Sequence, residues 1–164
     1  MSKGWLVWMV GILLSGSLVG CGGGGSVAPT ALPTPPARAE VTFNVDPNPV
    51  VSEYQSDGWW RFKVNLELYD TAGVGFQINT IRTTVSAAVT GTILLDYNYS
   101  VAQHVDARGR TVLQFTSPFY RTVTGGGANV KFVADLRDDM GNAITLSNQA
   151  AVMRMGGPDG DSVN

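Results

Sequence analysis

The chain has a single cysteine and a single histidine in 164 residues. One cysteine excludes an internal disulfide framework and any cysteine-rich metal cluster. One histidine excludes the multi-histidine sites that hold zinc, and no second Cys or His is left to assist it in the folded part. Charge is sparse too: Asp, Glu, Lys and Arg make up 15% of the chain, with a formal net charge of -2. A slightly acidic balance argues against a phosphate-reading surface, so no nucleic-acid partner is expected. A convincing amphipathic helix is missing from residues 41–155. The hydrophobic content of 44% nevertheless suffices for a core and excludes wholesale disorder. Glycine is plentiful, at 20 residues, and much of it lies in short runs that read as connectors.

Residues 1–20 have the layout of a secretory signal peptide. Lys3 supplies the positive start, an apolar stretch runs from Trp5 to Leu14, and Ser15, Gly16 and Ser17 come after it. The apolar segment is at the lower limit for a membrane span and ends in Gly and Ser, where a span needs bulk. Next comes Leu18-Val19-Gly20-Cys21, which places a small residue directly before the only cysteine. This tetrapeptide resembles the lipobox of bacterial lipoproteins. The resemblance implies cleavage before Cys21, a diacylglycerol on its sulfur and an N-acyl chain on its new amine, palmitate for example. It implies no other cofactor. Each buried methylene contributes about 0.8 kcal/mol, so several chains together hold a protein firmly on a membrane. Gly22 stands after the cysteine, where an Asp would resemble an inner-membrane retention signal. The expected location is therefore the cell envelope, at the outer membrane.

Residues 21–40 comprise the lipidated cysteine and a tether. Gly22 to Gly25 and Ser26 make a flexible coil, and Pro29, Pro33, Pro35 and Pro36 stiffen the second half. The tether predicts a folded object held away from a surface.

Residues 41–155 read as strands. Trp60, Phe62, Val64, Leu66 and Leu68 alternate with Trp59, Arg61, Lys63, Asn65, Glu67 and Tyr69. The first set belongs inside, because successive strand side chains point to opposite faces. Phe76 and Ile78 are followed out of phase by Ile81, Thr83 and Val85, which predicts a bulge near Asn79-Thr80. Ile93, Leu95, Tyr97, Tyr99 and Val101 form a further inward row in the same reading. Asp46-Pro47-Asn48-Pro49 confines the end of the first strand to an edge or a strand switch. About seven strands in this length predict an all-β, antiparallel sandwich, with a polar tail at residues 156–164. The run Val130-x-Phe132-x-Ala134-x-Leu136-x-Asp138-Asp139-x-Gly141-Asn142 resembles the last hairpin of bacterial immunoglobulin-like and fibronectin type III-like domains. Trp60 stands where such a domain has its core tryptophan. The cysteine pair of antibody domains is absent, so no antibody-type function is implied.

No catalytic constellation is legible. His104 lies in a polar segment and reads as a solvated loop residue. Ser117 lacks the glycine-framed context of a hydrolase nucleophile. Gly125-Gly126-Gly127 lacks the Lys-Ser/Thr ending of a phosphate loop. Asp138, Asp139 and Asn142 are a weak calcium candidate, set against ordinary turn capping, and their spacing departs from an EF-hand. Exposed aromatics are the better binding clue: Trp59 and Tyr69 point outward and are candidate ligand contacts. The expectation is a lipid-anchored, non-enzymatic interaction or structural module whose partner is an envelope protein. The alternative is a carbohydrate-binding or adhesin-like module using Trp59 and Tyr69.

Overall fold

The computed structural model describes residues 38–121 and 126–156. The signal segment, Cys21, most of the tether and the tail beyond Gly156 lie outside the described residues. Among the described residues the protein is all-β. Its strands are β1 (Val41–Asp46), β2 (Val50–Ser56), β3 (Trp59–Asp70), β4 (Phe76–Ala87), β5 (Ile93–Val105), β6 (Arg110–Thr116), β7 (Tyr120–Arg121), β8 (Ala128–Asp138) and β9 (Ala143–Met155).

Alternation in β3 is as the side chains dictate: Trp60, Phe62, Val64, Leu66 and Leu68 are buried. They meet Ile81, Val85, Val130, Phe132, Ala134 and Leu136 of β4 and β8 in one hydrophobic core. Phe62, Phe115 and Phe132 pack edge-on or tilted, with centroids 5.8–6.3 Å apart. Each such ring, fully buried, contributes roughly 1.5–3 kcal/mol. The ladders of β4 shift register between Ile78 and Thr80, toward both β5 and β8. The extra residue returns Ile81, Thr83 and Val85 to the buried side, as their phase requires.

The sheet order is β1-β3-β2-β9-β8-β4-β5, with β6 and β7 on the other edge of β3. Three expectations change. Among the described residues there are nine strands rather than seven, because Val50–Ser56 and Tyr120–Arg121 pair as strands of their own. The sheet is mixed rather than purely antiparallel, because β2 runs parallel to β9, Val50 facing Val152. Asp46-Pro47-Asn48-Pro49 produces this by a switch. It breaks the ladder after Asp46, and the chain resumes against a different neighbour.

The third change concerns β5. Leu95, Tyr97 and Tyr99 face Val85, Thr83 and Ile81 across the ladder, so they lie on the core side, as their alternation predicts. Leu95 and Val101 pack partly buried against the core, but Tyr97 is 42% and Tyr99 48% exposed, and Ile93, beyond a register shift and opposite Ser86, reaches 61%. β5 ends the sheet order, and of this row Tyr99 meets the Phe115 ring of β6 edge-on at 6.4 Å.

Candidate functional site

At the end of the fold where the chain joins β1, two buried aspartates organise the loops. Asp70 closes β3 and accepts N–H bonds from Ala72 (3.1 Å), Gly73 (2.7 Å) and Val74 (3.0 Å). Arg108, in the loop after β5, donates a further N–H at 2.9 Å. Burial pushes the Asp70 carboxyl up, but the N–H groups of Arg108, Gly75, Ala72 and Gly73 outweigh it and hold it below the ordinary aspartate value. Gly75 sits at φ +78, with Asp139 and the Ala107 backbone where a Cβ would stand, so only glycine fits.

Asp138 does the same for the loop between β8 and β9. It accepts N–H bonds from Met140 (3.0 Å) and Asn142 (2.7 Å), from the Asn142 side-chain amide (2.9 Å) and from Ala39 (3.1 Å). Burial raises this carboxyl as well. The Asn142 side chain and the N–H groups of Ala39, Asn142 and Met140 prevail and lower it. Of the calcium candidates, then, Asp138 and Asn142 are bonded to each other as a turn cap. Asp139 turns instead to His104, Oδ1 to Nε2 at 2.9 Å. Among the described residues no group of three or more His, Cys, Asp or Glu is placed to hold a metal ion.

His104 departs from its expected place. It lies within β5 rather than in a loop, and it stands between two carboxylates, with Asp106 Oδ1 3.5 Å from Nδ1. Ser117 is buried, and its Oγ accepts the Phe62 N–H at 3.0 Å. That bond bridges the gap that Pro118 leaves between β6 and β7, so the hydroxyl is not offered as a nucleophile.

Trp59 and Tyr69 stand at opposite ends of β3, ten residues apart, or about 33 Å along a strand. The structure does not bring them into one site. Tyr69 is half-buried where the chain joins the fold, facing Thr42 of β1. Trp59 is 37% exposed at the far end, and there it has company that the sequence did not disclose. The Arg121 guanidinium lies 4.6 Å from the Trp59 ring, and Arg61 lies 5.3 Å from the exposed Phe119 ring. Lys63 continues the outward row of β3 beside Arg61. Beneath, Tyr54 packs edge-on against Trp60 at 5.4 Å, and Arg154 lies over the same indole at 5.7 Å. The sequence signal for this cluster was the Pro118-Phe119-Tyr120-Arg121 segment. Its strand is only two residues long, too short for alternation to register.

The second unabsorbed surface is β5. It is 13 residues long, pairs among the described residues with β4 alone, and is irregular at both register shifts and at Ala102, which takes φ 53. Its single acidic side chain, Asp96, is neutralised within the sheet by Arg82, with contacts of 2.8 and 2.6 Å. No lysine or proline interrupts its exposed edge.

No protein-family model and no curated protein matches the chain. Solved structures match its fold. One is the Northeast Structural Genomics Consortium target SoR45, with a TM-score of 0.51, 10% identity and coverage of 68% of this chain and 86% of that one. Another is a Bordetella pertussis protein provisionally named ApaA, with a TM-score of 0.51, 13% identity and coverage of 71% and 97%. At such identities the likeness concerns the fold alone.

Proposed function

We propose that the chain is a lipid-anchored, non-enzymatic interaction module of the bacterial envelope, built on an immunoglobulin-like sandwich. Two features support the sandwich reading. The strands divide into β1-β3-β6 and β2-β9-β8-β4-β5, and the first arm switches from one row to the other, pairing parallel with the last strand. Anchoring rests on Leu18-Val19-Gly20-Cys21 and on the Gly/Pro tether after it. The non-enzymatic reading rests on residues whose polar atoms are already committed: Ser117 to the Phe62 N–H, and Asp70 and Asp138 to turn backbones.

The observation that carries the interaction reading is β5. A long edge with a half-open aromatic row offers two kinds of contact at once. Its free backbone N–H and C=O groups accept a partner strand, and Tyr97 and Tyr99 give that strand something apolar to cover. The partner is a protein presenting an extended segment.

A photoreactive benzoylphenylalanine in place of Tyr97, in the anchored full-length chain, tests this directly. One envelope protein is expected as the covalent adduct, and the adduct should disappear when Asn98→Pro or Ser100→Pro spoils the edge. A folded, anchored chain that yields no protein adduct from position 97 or 99 refutes the reading.

A further inference from the structure

Trp59, Phe119, Arg61, Arg121 and Lys63 form a strip at the end of β3 that the β5 reading does not use. We propose that this strip is a second binding site, for an acidic polysaccharide.

The two rings are exposed, Trp59 at 37% and Phe119 at 52%, whereas Phe62, Phe76, Phe115 and Phe132 are buried. Each exposed ring has a guanidinium over one face, Arg121 at 4.6 Å and Arg61 at 5.3 Å. Stacking of this kind holds a guanidinium in place while leaving its charge unneutralised. Among the described residues no carboxylate lies within 4.0 Å of Arg61, Lys63 or Arg121. Glu53 opposes Arg61 across the β2–β3 ladder, Asp57 sits in the adjoining turn and Asp46 lines the same pocket as Lys63, yet none of these acids closes an ion pair with the three cations. The Arg61 Nε is buried and has no hydrogen-bond partner.

Rings and cations stand side by side on one face, Arg121 with Trp59 and Phe119 with Arg61. Trp59, Arg61 and Lys63 are successive outward residues of β3, about 7 Å apart. A polymer of ring-shaped units, each with one flat apolar face and a carboxylate or phosphate, matches these pairs in shape and in charge. An acidic peptide would satisfy the cations and leave the rings unused. A lipid headgroup of the protein's own membrane fits poorly, since the chain joins the fold beside Asp70, at the opposite end of β3.

The test uses the full-length chain in detergent micelles, with polygalacturonate as the probe and dextran and polyglutamate as comparisons. Saturable binding of polygalacturonate is expected, weakening as salt rises. Binding should fall at least tenfold in both Trp59→Ala and Arg121→Gln, with little binding of dextran or polyglutamate. The second variant removes a charge at an exposed position, so a folding defect at Trp59 does not decide the matter. Absence of binding overturns the proposal. So does equal binding of polyglutamate, which marks a site for acidic polypeptide, and so does binding that neither substitution reduces, which marks general charge attraction. The Tyr97 adduct is independent of all these outcomes, so the two readings stand or fall separately.

Discussion

Asp70 shows how much one side chain holds. Its carboxylate gathers N–H groups from two loops, Ala72, Gly73 and Val74 from one and Arg108 from the other. Asp70→Ala leaves these donors without their acceptor, and a loss of roughly 1–3 kcal/mol is expected. The acid response is set by the direction of the shift. A carboxyl lowered by folding contributes its full share of stability above the ordinary aspartate value, about 3.9, and loses it as pH falls through the folded value. Denaturant midpoints measured from pH 7 to pH 2 should therefore drop below about pH 4, and Asp70→Ala should make that drop shallower. An equally steep decline in the variant would assign acid sensitivity to other groups. Asp70-Thr71-Ala72-Gly73 is a sequence of turn-forming residues, so the local N–H bonds to Asp70 follow from neighbours. The bond from Arg108 does not, because its N–H comes from 38 residues further along. His104 is solvated as expected but lies in β5, and its contact with Asp139 was hidden because that carboxylate is 35 residues away.

At the scale of strands, local pattern carried far. The inward row of β3 and the bulge between Ile78 and Thr80 were readable because both depend on the order of neighbours alone. The strip at Trp59 was half readable, since the outward phase of Trp59, Arg61 and Lys63 was plain while Arg121 sits in a strand too short to recognise and Phe119 in the connection before it. The β5 row was misjudged for a different physical reason. Alternation tells which side a residue faces, but not whether a second layer lies above it. The parallel pairing of β2 with β9 joins segments about a hundred residues apart and leaves no mark on either. The join between β6 and β7 yields a further expectation. Ser117→Ala removes the acceptor of the buried Phe62 N–H and should destabilise by about 1–3 kcal/mol, read from equilibrium denaturation. Unchanged stability would mean that the Phe62 N–H finds another acceptor.

For the whole molecule, the proposed anchor and the proposed polysaccharide site define two ends. Ala39 is tied to Asp138, and Thr71 donates its N–H to Glu40 at 2.8 Å, so the incoming chain is fastened beside Asp70 while Trp59 lies at the far end of β3. Cys21→Ser should move the protein from the membrane fraction to the soluble fraction, and a variant that still sediments with membranes would remove the lipid anchor from the account. The β1–β3 ladder adds a mechanical consequence. Val41 lies beside Asp70 and Asp46 beside Asn65, in six registered pairs. A pull arriving at Val41 and resisted at Trp59 drags the two strands past each other along their length. That is shear, in which the rungs bear the load together, whereas a peeled hairpin gives way one rung at a time. A domain strung in this way between a membrane and a captured polymer would be hard to tear open.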